Sequence, residues 1–307
     1  MNAENIADRT PGPDEVVSRV GAVDMGSKNF KYVLGQKTNG VITTELIRKE
    51  RFELGKEVTE NNGLIGEEKI AQVKESLSRF VRYCSDRGAP RVLAIATSAI
   101  RNARNHQRIL DVAREAGLSM EIAEGVREGV VDYYAATGGA PLKLVSDVGS
   151  KSMQIAWEEG GAIRSRSVQV GYEMAYETFV EHELMFHDSE RKFRRFLDGN
   201  FKEFPGSTDR YIALAANTVA SFVNAESHSG SEKVFDREAL AGTLIRLRAL
   251  PASGYRELKA SLPKAVKILP GLIFIDWLME RTGHRQVLVS QNELPVGLIV
   301  EYFLDRT

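Results

Sequence analysis

The sequence predicts an α/β protein built of two similar halves, and three observations predict it. Its 307 residues exceed what one hydrophobic core usually organises. Strand-like and helix-like runs alternate along the chain. The pattern Asp-x-Gly-Ser-Lys occurs twice, in "AVDMGSKNF" at 22–30 and "VSDVGSKSM" at 145–153, each time after an apolar run and before an alternating one.

The elements follow in order. Residues 19–24, 31–36 and 40–54 read as three successive strands. From Glu67 to Arg87, Ile70, Val73, Leu77, Phe80, Val81 and Cys84 fall at helical spacing, and Gly88-Ala89-Pro90 ends the run. "RVLAIA" at 91–96 is a buried strand, 102–117 a helix closed by Gly117, 119–123 a strand and 127–136 a helix. At Pro141 the pattern restarts with a strand over 142–147, a hairpin over 153–170 turning at Gly160-Gly161, and a helix over 172–181. Further helices fit 189–202, 217–226, 236–249, 271–282 and 293–304, with strands at 211–216 and 285–290 and a polar loop over 224–236.

Composition excludes several classes. With 43% hydrophobic and 27% charged residues, the chain has the material for two cores and is neither disordered nor fibrous. A formal net charge of -1 argues against a DNA-binding protein, and the basic run "RKFRR" at 191–195 is expected to be a solvated helix face. Residues 1–18 hold acids, prolines and no apolar core, so they read as a flexible lead-in. No apolar stretch reaches the roughly twenty residues of a membrane helix, and the run at 268–279, interrupted by Pro270 and Asp276, is expected to be a buried helix. A cytoplasmic location is the expectation. The single Cys84 excludes an internal disulfide and is expected to be a small buried hydrophobe. His106, His182, His187, His228 and His284 show no zinc spacing and are expected at the surface or at helix ends; Trp157 and Trp277 are expected in the core.

The repeated motif has a physical reading. An Asp ending a strand, a Gly permitting a tight turn, and a Ser with a hydroxyl and a free backbone N–H make a hairpin whose tip offers donors to an anion. The Asp can meanwhile hold a divalent cation. A single copy would more often be an ordinary turn; two in matched contexts point to a phosphate chain with its metal.

The opening "AVDMGSKNFKYVL", "ATSAIRNARN" at 96–105, "EIAEGVREG" at 121–129 and "SDVGSKSMQIA" at 146–156 resemble, in order and spacing, the Ppx/GppA family of exopolyphosphatases and guanosine pentaphosphate phosphatases. The resemblance implies the actin, Hsp70 and sugar-kinase fold: two duplicated ribonuclease H-like domains with a central cleft. These would be 19–126 with a returning C-terminal helix at 293–307, and 127–292, hinging near 125–140. Position by position, it implies phosphate binding by Gly26, Ser27, Thr97, Ser98, Asn105 and Gly149, and metal binding (Mg²⁺ or Mn²⁺) by Asp24 and Asp147; Lys28, Ser150 and Lys151, where this chain departs from the pattern, are expected to add phosphate contacts of their own, the lysines substituting side-chain cations for lost backbone donors. Arg101 is implied to stabilise the transition state, and Glu128 to polarise the attacking water. The partners implied are a polyphosphate or guanosine polyphosphate ligand and a second copy of the chain.

Several positions depart from the family pattern. Asp-x-Gly-Gly-Gly-Ser-x-Glu becomes Asp147 to Gln154, with two glycines and a carboxylate gone; Lys28 and Asn29 replace Asn and Ser. Gly-Thr-x-Gly-Thr becomes Leu214 to Thr218, Arg-Ala-Asp becomes Lys264, Ala265, Val266, and Leu-Arg-Glu-Gly becomes Leu294, Pro295, Val296, Gly297. Two readings therefore stay open: a phosphohydrolase acting on a terminal phosphoanhydride, and a binding protein without turnover. A kinase of the same superfamily is weaker, because the glycine-rich nucleotide loop is missing.

Overall fold

The computed structural model describes residues 17–140, 144–179, 187–204, 211–214, 234–250, 253–254, 257, 267–290 and 292–305. The chain forms two compact units, Met1–Ile122 with Leu298–Thr307, and Ala123–Gly297.

In the first unit β1 (Val17–Met25), β2 (Asn29–Thr38) and β3 (Val41–Arg51) form an antiparallel meander. Asn39-Gly40 joins β2 to β3 at φ 50° and 83°, the left-handed pair that a two-residue hairpin favours. The third strand stops short of the expected residue 54. Glu53 enters the left-handed region at φ 57°, and the fully buried Leu54 opens a helix, α1 (Leu54–Glu60), that periodicity did not reveal. In α2 (Glu67–Ser85), Ile70, Val73, Leu77, Phe80 and Cys84 face the core as their spacing predicts. The helix lies so close to β1 that a Cβ on Gly21 would stand 2.5 Å from the Cys84 sulfur. Then β4 (Val92–Ala96) pairs parallel with β1, a four-residue α3 (Ser98–Arg101) and α4 (His106–Glu115) cross over, and β5 (Ser119–Ile122) pairs parallel with β4. The strand order is β3-β2-β1-β4-β5.

The second unit repeats this plan. It opens with α5 (Gly125–Thr137), and β6 (Val145–Val148), β7 (Met153–Glu159) and β8 (Ala162–Val168) form the meander. Gly160 and Gly161 turn it at φ 61° and 80°. After α6 (Tyr172–Phe179) and α7 (His187–Asn200), β9 (Tyr211–Leu214) pairs parallel with β6. Further along lie β10 (Val234–Asp236), α8 (Arg237–Arg248), α9 (Leu269–Thr282), β11 (Gln286–Val289) and α10 (Leu294–Leu304). The order β8-β7-β6-β9-β11 matches the first sheet strand for strand, with β10 added antiparallel at the edge. Two copies of one ribonuclease H-like sheet account for both halves.

Helix α9 is apolar nearly all round and is buried, as expected for that run, its own Trp277 lying in the core; Trp157 is buried as well. Two expectations are corrected and a third is refined. Residues 234–236 of the expected loop form β10, pairing with β11. His284 lies at a helix end as expected, just past the Gly283 cap of α9, but it is 3% exposed and so not at the surface, with Nδ1 2.6 Å from the Thr282 hydroxyl. The "RKFRR" run is not a merely solvated face. Phe193 is fully buried, and Arg194 joins Glu190, Asp276 and Glu280 in an ion-pair network that Arg248 completes with two bonds to Glu190. Burial alone would lower the Arg194 pKa, but the hydrogen bonds it donates to Asp276 and Glu190, together with their charges, raise it above its ordinary value. The helix at 217–226, residues 215–218, 264–266, His182 and His228 fall outside the described residues. No helix among the described residues is long and apolar enough to cross a membrane.

Candidate functional site

Each unit joins its first two strands by a two-residue tip, Ser27-Lys28 in one and Ser150-Lys151 in the other. The closing bonds match. The Gly26 N–H donates to the Asn29 carbonyl at 3.2 Å, and the Gly149 N–H to the Ser152 carbonyl at 3.0 Å. A Cβ would meet those same carbonyl oxygens at 2.9 Å and 3.0 Å, so both turns need glycine. Asp24 and Asp147, two residues before each glycine, set their carboxylates beside it, 3.8 Å and 3.5 Å from the position a Cβ would take.

The chain after the third strand then grips the tip from behind. In the first unit the Gly55 N–H donates to the Ser27 carbonyl at 2.8 Å, and those of Phe52 and Glu53 to the Lys28 carbonyl at 3.0 Å each. In the second, the Tyr172 N–H donates to the Gly149 carbonyl at 3.0 Å and that of Glu173 to the Ser150 carbonyl at 3.3 Å. Gly171 lets α6 begin against the turn: a Cβ there would overlap the Ser150 carbonyl carbon and the Lys151 nitrogen. With the carbonyls tied back, the N–H groups of Ser27, Lys28, Ser150 and Lys151 have no acceptor among the described residues. Backbone so arranged presents concentrated positive dipole ends, the chemistry of an anion nest.

Around the first tip, β4 runs parallel to β1 with Ala96 opposite Met25, which brings Thr97 and Ser98 to the carboxyl ends of adjacent strands, where open α/β sheets bind ligands. Ser98 Oγ lies 3.1 Å from Ser27 Oγ. Arg101 closes α3, half-buried, its N–H bonded to the Thr97 carbonyl at 3.0 Å. Asn105 has a bracing task instead: its Oδ1 accepts from the Ile65 N–H at 2.9 Å and its Nδ2 donates to the Ile65 carbonyl at 2.8 Å, fixing the loop before α2. Asp24 is 7% exposed, and Lys31, opposite it on β2, approaches to 3.8 Å.

In the second unit Asp147, Gln154 and Ser167 stand opposite one another across β6, β7 and β8, and so share one face. Helix α5 covers that face through two glycines one turn apart. A Cβ on Gly125 would overlap Ser167, and one on Gly129 would overlap Ser165 and stand 3.3 Å from the Gln154 Cβ. Glu128, half-buried in the first turn of α5, is the neighbour of Gly129. Gln154 is 1% exposed; its Nε2 donates to Ser152 Oγ at 2.8 Å while Oε1 has no hydrogen-bond partner among the described residues. The Leu294–Gly297 segment that departs from the family pattern opens α10, and Gly297 is where that helix touches the Val131 backbone of α5.

Sequence reasoning missed Gly55 and Gly171, although both follow the third strand of their half. It also missed the Gly-x-x-x-Gly spacing of Gly125 and Gly129, a recognisable sign of close helix packing. The burial of Gln154 had no sequence signal. The carboxylate oxygens of Asp24 and Asp147 are donors that suit a hard cation; among the described residues no three His, Cys, Asp or Glu side chains gather to hold one.

The chain is 23% identical over 295 residues to the guanosine-5'-triphosphate,3'-diphosphate pyrophosphatase of Vibrio vulnificus, covering 91% of this chain and 58% of that protein. The chain thus spans less than two thirds of the length of that relative. Its fold is that of the crystal structure of the Aquifex aeolicus member of the Ppx/GppA protein family (TM-score 0.81, 23% identity, 95% of this chain and 99% of that one). An exopolyphosphatase from Cytophaga hutchinsonii also matches (TM-score 0.71, 19% identity, 94% and 99%). The sequence model of the Ppx/GppA phosphatase family matches residues 33–305, and the chain belongs to that family.

Proposed function

We propose that the protein hydrolyses a terminal phosphoanhydride of polyphosphate or of a guanosine polyphosphate. The observation that carries this reading is the duplicated tip, with its carbonyls tied back and its amides open. Family membership supports it. In this reading the Ser27, Lys28, Ser150 and Lys151 N–H groups bind phosphoryl oxygens, and the Thr97 and Ser98 hydroxyls add donors on the first unit. The half-buried Arg101 guanidinium offsets charge that builds in the transition state. Glu128 accepts a proton from the attacking water and orients it. Asp24 and Asp147 are the carboxylates that would hold Mg²⁺ or Mn²⁺, and the ion would supply neutralisation of the phosphate charge.

One observation favours a second reading, a binding protein without turnover. Gln154 stands where the family pattern has a carboxylate, buried and with one amide oxygen unsatisfied. A neutral amide takes no proton from water. The test is phosphate release from polyphosphate, guanosine pentaphosphate and ATP with Mg²⁺ or Mn²⁺, beside Glu128→Gln and Gln154→Glu. The hydrolase reading expects release by the native chain and a loss of about 10²-fold or more in Glu128→Gln. Saturable anion binding without release, with turnover gained in Gln154→Glu, would replace it by the binding reading.

A further inference from the structure

Resting on that reading, we propose that Lys28 and Lys151 are specificity-determining residues that make the protein prefer anions of linked phosphates to orthophosphate or a monophosphate. Both lysines are exposed, and neither has a hydrogen-bond or ion-pair partner among the described residues. Some exposed cations, such as Lys56, Lys74, Arg79 and Arg108, sit against a carboxylate, while Lys49, Arg82 and Lys202 do not; what distinguishes the two tip lysines is their place at the turns whose amides are open. Each tip lysine also follows an aspartate of its own hairpin by four residues, yet neither pairs with it. Asp24 is met instead by Lys31. The tip ammonium charges are therefore left for something outside the chain.

Position repeats as well as charge. Both lysines are the second residue of a two-residue tip closed by the same glycine bond, and each turn is held from behind by its carbonyls, those of Ser27 and Lys28 in one and of Gly149 and Ser150 in the other. The tip amides are fixed and short-ranged, which suits them to one phosphoryl group. The lysine stem is long and flexible, so its ammonium reaches past that group to the next phosphoryl of the same anion. Orthophosphate has no next group and gains little from it. Each hairpin is thus a subsite with a rigid part that takes any phosphoryl oxygen and a mobile part that rewards a longer anion.

The experiment is calorimetric titration of the full chain with sodium tripolyphosphate, pyrophosphate and orthophosphate at low and moderate salt, for the native protein, Lys28→Met, Lys151→Met, the double variant and Lys28→Arg. Each Met variant is expected to weaken tripolyphosphate binding about tenfold, the worth of one charge-assisted hydrogen bond. It should also flatten the salt dependence, leave orthophosphate binding within twofold, and be rescued by arginine. Native binding of tripolyphosphate with unchanged Met variants, or equal losses for tripolyphosphate and orthophosphate, would overturn the role of the lysines and leave the proposed function standing. A native chain that binds none of the three anions would overturn both.

Discussion

At the scale of single residues, burial sets how Cys84 and Tyr32 titrate. Cys84 lies in the core as its helical spacing implied, and burial pushes its thiol pKa from 9.0 up to about 12. Burial likewise raises Tyr32 from 10.0 to about 12. Both groups prefer the neutral form in the folded chain. Their contribution to stability is fully present below the unfolded values and is lost as pH climbs through the folded ones. Denaturant midpoints are therefore expected to be flat up to about pH 9 and to fall from there towards pH 12. In Cys84→Ala the baseline drops modestly, and the fall begins nearer pH 10; an unshifted onset would remove the thiol from the account. Arg194 was misjudged because a charged side chain reads as superficial until partners from distant segments are known. The carboxylates that bury Arg194 come from Glu190, on its own helix, and from Asp276 and Glu280, far along the chain.

At the scale of elements, what was readable was what repeats at short period. The strands of both meanders and helices α2, α4 and α8 follow from alternation and helical spacing. Helix α1 did not, because its start depends on one left-handed residue, Glu53, and on the burial of Leu54. The hairpins were recognised from Asp-x-Gly-Ser, but the grip that turns their amides outward comes from the helix start after the third strand, in contact only once the fold has formed. That grip makes a prediction. In Gly171→Ala a methyl group would overlap the backbone of Ser150 and Lys151, so the tip must move. Tripolyphosphate binding is expected to fall at least tenfold, roughly the loss of one charge-assisted hydrogen bond or more, while far-ultraviolet circular dichroism stays native. Gly199→Ala in α7, where a Cβ meets nothing within 4 Å, is the control and should stabilise slightly. Native affinity in Gly171→Ala would mean that α6 yields instead of the tip.

At the scale of the whole molecule, the twice-used motif already implied a duplication, and the matching strand orders bear it out. The added edge strand β10 had no counterpart in the first half to announce it. Duplication also has an energetic side, since each unit encloses a hydrophobic cluster of its own. One centres on Leu77, Phe80 and Phe30, the other on Leu278, Phe274 and Phe193. A unit with its own core can unfold as a unit. Leu77 and Leu278 are both fully buried, and truncating either to alanine removes apolar contacts and leaves a cavity, at a cost of about 2–5 kcal/mol. Scanning calorimetry is therefore expected to show two transitions, with Leu77→Ala lowering only one and Leu278→Ala only the other. If a single transition moved down in both variants, the two cores would be melting together, and the duplication would be a fact of architecture and not of stability.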